Sequence, residues 1–211
     1  MPNPNFRSQA GRSSRDRKPV KLLKPRPRIL IVCQGERTEP NYFNAFRIAD
    51  VEVIHGRGDP LQIIAEAEKK YAQDSYYDQV WCVFDRDDFP QFDVDIARVE
   101  MLRRQKKPFR AAWSNFCFEL WYLLHFEYLQ SGISRERYGE KISAHLRKPY
   151  KKNDGTMHDL LRTHEDTAYR NAVRLRKMHE ENGTVIPLQQ CPMTTVDELV
   201  RSLLIAKPAN S

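Results

Sequence analysis

Three carboxylates, Asp85, Asp87 and Asp88, follow directly on the apolar run Val80–Phe84 in "VWCVFDRDD". Ending a buried strand in acids costs both desolvation and mutual repulsion. Either these side chains lie at a solvated strand end, or a cation joins them. If the extended conformation persists, Asp85 and Asp87 point to one side and Arg86 to the other. Two further acidic segments follow apolar runs. "ILIVC" leads into Gln34-Gly35-Glu36, with Glu39 just beyond. "FRAAW" leads into Ser114-Asn115, with Glu119 a few residues on. Hard oxygen ligands that leave room for water and phosphate suit Mg²⁺ or Mn²⁺. Gly35, without a Cβ, lets its loop come close to such a site. A D-x-D pair alone is a weak signal, since acidic loops after strands also occur with no metal role. Asp88 also reads as a turn residue before Phe89-Pro90, and Arg86 as a counter-charge or a phosphate contact.

These clusters converge only if the elements carry them to one place. From residue 28 the apolar runs alternate with helical patterns. Residues 28–33, 51–54, 79–84 and 109–113 read as strands rich in β-branched and aromatic residues. Helices start at Thr38 as N-cap, at the Asp59-Pro60 cap and proline, at Asp93, and at Ser114 or Asn115. A βαβαβαβα order predicts a four-stranded parallel sheet with right-handed crossovers, flanked by helices. Ligands of such sheets bind outside the carboxyl ends of the strands, which is where all three acid clusters fall. After residue 130 the pattern is helical: 134–146, 156–163, 166–181 and 195–205, with Asn182-Gly183 as a stop and Thr195/Glu198 as a capping box. The expected organisation is a basic tail (1–27), an α/β domain (28–130) and a helical C-terminal region packed on it (131–211).

The net charge of +7 is unevenly spread. Residues 1–28 hold nine Lys/Arg against one Asp; residues 29–211 hold the other 26 against 27 Asp/Glu. The tail reads as disordered, either a solvated leader or a nonspecific phosphate-binding arm. The four cysteines show no C-x-x-C spacing, so a zinc knuckle or redox pair has little support. No long apolar stretch marks a signal peptide or membrane span, so a cytoplasmic protein without membrane association is expected. The six histidines have no ligand spacing; His125, in an apolar aromatic segment, reads as a packed histidine. "FELWYLLHFEYL" reads as core rather than a base-stacking surface.

The ordered segments "ILIVCQGERTEPNYFNAF", "VWCVFDRDD" and "WSNFCFELWYLLHF" resemble the RloB-like proteins, bacterial proteins of the Toprim superfamily. The resemblance is good over 28–130 and looser beyond. It implies a Toprim-type sheet and Mg²⁺-dependent phosphodiester chemistry. It also implies relatedness to nuclease subunits of phage-defence systems, which work with an AAA/ABC-type ATPase partner. The Toprim pattern has Glu immediately before the loop glycine, in an acid/base or metal role, whereas this chain has Gln34. A neutral amide cannot take that proton and is a weaker cation ligand. Either Glu36 or Glu39 replaces the missing carboxylate, or the chain binds nucleic acid and cuts poorly. A second departure is Phe116, where the family usually has Pro.

The resulting expectation is a metal-dependent nuclease acting on RNA or DNA. Asp85, Asp87 and Glu119, with Glu36 or Glu39, hold the cation. Gly35, Arg86, Ser114, Asn115 and a lysine, Lys151 or Lys152, contact phosphate. The lysines also read as a solvated charge run. A homodimer is compatible with this. The competing class is a binding or sensor subunit weakened by Gln34. A haloacid-dehalogenase-type phosphatase fits less well, because its D-x-D ends the first core strand and continues with Thr or Val, whereas here the pair ends the third and continues with Asp88.

Overall fold

The computed structural model describes residues 26–87 and 89–207. The basic tail up to residue 25 and Asp88 therefore lie outside the described residues. Elements run in the order β1 (Ile29–Cys33), α1 (Thr38–Asn44), β2 (Val51–His55), α2 (Pro60–Gln73), β3 (Gln79–Asp85), α3 (Phe92–Arg104), β4 (Phe109–Asn115) and α4 (Glu119–Leu124). They continue with α5 (Arg135–Leu146), α6 (Met157–Leu161), α7 (Glu165–Glu181), β5 (Met193–Thr194) and α8 (Val196–Ala206).

The strands form one sheet in the order β2-β1-β3-β4-β5. The first four are parallel. The fifth, two residues long, is antiparallel to the end of β4, pairing Ser114 with Thr194 and Asn115 with Met193. The sheet thus has five strands rather than the expected four, and strands do not stop at residue 130. A two-residue strand carries no periodicity that a sequence pattern can register. All five residues of β1 are fully buried, as a strand covered on both faces requires. Each such aliphatic side chain contributes about 1.5–3 kcal/mol relative to exposure.

Helix starts differ instructively from the sequence reading. Asp59 caps α2 as expected: its Oδ1 accepts from Gln62 N at 2.9 Å, and Gln62 Oε1 accepts from Asp59 N at 3.0 Å. Gly58 before it has φ +101°, and a Cβ there would meet the Gln62 amide at 1.6 Å, so this turn requires glycine. Three other expected caps are used elsewhere. Thr38 Oγ1 donates to Asn153 Oδ1 at 2.9 Å, and Asp93 Oδ1 accepts from Leu188 N at 2.7 Å. Thr195 Oγ1 accepts from Trp113 N at 3.0 Å and donates to Ala111 O at 3.3 Å. A side chain that can bond a neighbouring segment has no need to bond its own helix. Ser114 and Asn115 do not cap a helix either. They extend β4, and α4 begins only at Glu119.

Phe118, Leu120–Leu124, His125 and Leu129 are buried, so most of "FELWYLLHFEYL" is core, as read, while Phe126, Glu127 and Tyr128 stay part-exposed. His125 Nδ1 bonds Trp121 O at 2.9 Å. Helix α7 ends at Glu181, and Gly183, at φ +67°, reverses the chain there. The C-terminal segment is tied to the sheet by more than β5. Arg176 on α7 grips the buried Asp197 carboxylate at 2.9 and 2.6 Å, and α8 packs against β4. No helix among the described residues is long and apolar enough to cross a membrane.

Candidate active site

Strand order decides where the acids meet. With β1 flanked by β2 on one side and β3 on the other, the connections leaving β1 and β3 run in opposite directions. A crevice opens beyond their carboxyl ends, as at the switch point of other open α/β sheets. The register sets Cys33 beside Val83, so Gln34 and Asp85 are neighbours at the rim. A cleft of about 420 Å³ lies there, lined by Gln34, Gly35, Glu36, Glu39, Asp85, Asp87 and Glu119. The three acid clusters do share one cleft.

Gln34 is a strut rather than an acid. Its Oε1 accepts from Asp85 N at 3.0 Å, and its Nε2 donates to Gly58 O at 3.3 Å. One amide thus joins the end of β1 to the end of β3 and to the turn before α2. A carboxylate could make only the first of these bonds. The carboxylate lying against this loop is that of Glu39. A Cβ on Gly35 would stand 1.8 Å from Glu39 Oε2, so glycine at 35 is what lets the Glu39 side chain fold back over the loop.

Glu39 and Glu119 are buried, at 5% and 7% exposure, and Asp85 is half-buried. Burial, followed by the charges of Glu39 and Glu119, pushes the Asp85 carboxyl well above the usual carboxylate range; the Phe118 N–H opposes this. Burial first raises Glu39 as well. Its own N–H opposes that rise, the Glu119 charge adds to it, and Lys152 lowers it in turn. Repelling carboxylates of this kind favour positive charge among them, whether a proton or a cation.

Asp87 is committed differently: Arg135, at the start of α5, pairs with its Oδ1. Glu36 is exposed on the rim. Glu119 Oε1 accepts from Tyr150 OH at 3.2 Å. Tyr150 belongs to the loop after α5, which also delivers Lys152 to the cleft wall. Asn153 turns that loop at φ +74°, and its carbonyl accepts from Asn41 Nδ2 at 3.2 Å; asparagine tolerates the left-handed region better than most residues.

Several expected contacts fall outside the cleft. Ser114 Oγ bonds Thr194 Oγ1 at 3.1 Å, and Asn115 Nδ2 donates to the carbonyls of Pro187 and Leu188 at 3.3 and 3.2 Å. Both are buried against the segment that carries β5 and do not line the cleft. Lys151 is exposed and does not line the cleft, whereas Lys152 does. Arg86 does not line it either; its guanidinium lies 5.8 Å from the Phe116 ring centre. Arg135 and Tyr150 were missed by the sequence reading. No motif marks them, because Arg135 lines the cleft, and Tyr150 bonds its Glu119, only through the packing of α5 and its following loop.

No three His, Cys, Asp or Glu side chains among the described residues stand as a group that could hold a metal ion. The chemistry of the donor set nevertheless fits a hard divalent cation, with carboxylate oxygens from three segments, raised proton affinity and a glycine-cleared approach. Glu39, Asp85 and Glu119 are the side chains that would hold it.

The family model described as RloB-like protein matches residues 29–203. No curated protein and no solved structure matches the chain.

Proposed function

The chain belongs to the RloB-like family, and we propose that it is a metal-dependent nuclease cleaving phosphodiesters of RNA or DNA at the cleft beyond β1 and β3. The observation that supports this is the convergence of Glu39, Asp85 and Glu119, with raised proton affinity at Asp85 and Glu39, in a cleft whose rim also bears Lys152 and Arg135. Glu39, in the first turn of α1 with its carboxylate folded back over the loop, serves in place of Gln34 or the exposed Glu36. Bound Mg²⁺ or Mn²⁺ would supply Lewis-acid polarisation of a phosphoryl oxygen. Lys152 and Arg135 attract and orient the phosphate. Tyr150 holds the Glu119 carboxylate in one orientation through its hydroxyl. A Toprim-type arrangement, a phage-defence role and an AAA/ABC-type ATPase partner belong to this proposal through the family resemblance alone.

The test is hydrolysis of single-stranded RNA and DNA with Mg²⁺ or Mn²⁺ by wild type, Asp85→Asn and Glu119→Gln. Cutting by wild type that both variants abolish supports the reading; equal cutting by all three overturns it. A second reading, a subunit that docks nucleic acid without cutting it, is favoured by one observation: Asp87 is engaged by Arg135 rather than turned toward the other acids. Divalent-dependent binding with no cleavage by wild type is its signature.

A further inference from the structure

A second cleft adjoins the first and shares two of its walls. It measures about 460 Å³ and is lined by Asp87, Phe89, Phe116, Arg135 and Glu136; clefts of roughly 300–1,000 Å³ suit small ligands. Its aromatic walls are not core: Phe89 and Phe116 both stay part-exposed, although an exposed phenyl ring gains nothing from water. Two guanidinium groups, those of Arg86 and Arg135, lie 5.8 Å from the Phe116 ring centre. That is the outer limit of cation–π contact, so the ring is attended by positive charge without being tightly covered. Arg86 Nε is buried with no hydrogen-bond partner among the described residues. The carboxylate of Glu136 offers an acceptor at the cleft edge. Its ionised form is favoured by its own N–H and by the Ser134 hydroxyl.

Aromatic rings beside arginine planes, continuous with an anion-attracting rim, form the surface on which unpaired bases stack. We propose that this second cleft is a base subsite for single-stranded nucleic acid: a nucleobase stacks on the Phe116–Arg135 surface while the adjoining phosphate lies toward the carboxylate cleft. Arg135 belongs to both clefts and sets the register between base and phosphate. Glu136 accepts from the exocyclic amine of a base that has one. A paired base inside a duplex presents no free face to Phe116, so the substrate class is a single strand, a loop or an extruded nucleotide. The assignment rests on the nucleic-acid reading above but not on cleavage.

The experiment measures binding in EDTA, where no divalent cation supports hydrolysis. Short single-stranded DNA and RNA oligonucleotides carrying one 2-aminopurine are titrated with the full-length protein, alongside the same strands with an abasic site at that position. Stacking quenches the fluorescence, and the abasic strand binds more weakly. Phe116→Ala weakens binding of the base-bearing strand by about 5- to 150-fold, the range for loss of one base–aromatic stack, and leaves the abasic strand unchanged. Phe116→Trp restores the discrimination, which separates lost stacking from misfolding. Equal binding of both strands by wild type, or an equal loss for both strands in Phe116→Ala with Phe116→Trp folded and unable to discriminate, overturns the subsite. Discrimination by a wild type that hydrolyses nothing in Mn²⁺ keeps the subsite and removes the nuclease. Hydrolysis by a wild type that binds base-bearing and abasic strands alike does the reverse.

Discussion

Replacing Gln34 with Glu exchanges one amide nitrogen for oxygen, and the two roles open to position 34 predict opposite results. If the position were an acid/base site awaiting its carboxylate, Gln34→Glu would raise cleavage. The structure gives the side chain different work. The new carboxyl keeps the bond from Asp85 N and loses the one donated to Gly58 O. One oxygen then faces the Gly58 carbonyl, and a fourth negative charge joins Glu39, Asp85 and Glu119. The lost bond costs about 0.5–1.5 kcal/mol, and repulsion within the partly buried cleft brings the total to roughly 2–3 kcal/mol. For a chain of this size that lowers the melting temperature by about 5–10 °C. The sign with pH is fixed. A carboxyl among like charges ionises at a higher pH in the folded state than its ordinary value near 4.3. The penalty is absent below that value and grows as pH rises through the elevated one. Thermal unfolding in EDTA should therefore show a larger deficit at pH 8 than at pH 5, and Mg²⁺ should stabilise the variant more than the wild type. A variant as stable as wild type in EDTA at pH 8, or a deficit independent of pH, would refute the strut.

Asp85→Asn should raise the melting temperature of the metal-free protein at pH 8 and make little difference near pH 4. The raised Asp85 carboxyl costs stability above the ordinary aspartate value near 3.9, because the unfolded chain gives up that proton more readily than the fold does; thermal unfolding across that range checks it, and a fall at pH 8 would contradict it. Arg176→Met leaves the fully buried Asp197 carboxylate without its partner and should cost about 3–5 kcal/mol in urea unfolding; an unchanged midpoint would show that the pair does not anchor the C-terminal segment. His125 has its protonation pushed down to about 4 by burial. Its stabilising neutral state is lost as pH falls from the ordinary histidine value near 6.5 towards about 4. NMR titration should find the ring neutral at pH 5.5, with stability declining across the span from about 6.5 to about 4, whereas a ring already charged at pH 5.5 would be the contrary result.

Much of the fold is legible because its cause is local. The β1 run "ILIVC" is apolar throughout because both of its faces are covered, and Asp59-Pro60 opens α2 because a cap and a fixed φ act within one turn. The caps that failed, Thr38, Asp93 and Thr195, have the right chemistry but found partners in Asn153, Leu188 and the β4 backbone. Those partners lie many tens of residues away, and no window of sequence contains them. Strand β5 is hidden for the same reason.

The site divides along the same line. That acids cluster after three strands, and that a glycine beside them clears an approach, is written in the order of residues, since a parallel sheet delivers every strand end to one rim. Which acid stands where is not. Gln34 became a strut, Asp87 turned to Arg135, Ser114 and Asn115 went under β5, and Lys152 rather than Lys151 reached the cleft. Residue type and spacing determine what a side chain is able to bond. Only the packing of α5, its loop and the C-terminal strand decides which partner comes within the few ångströms over which a hydrogen bond or ion pair acts.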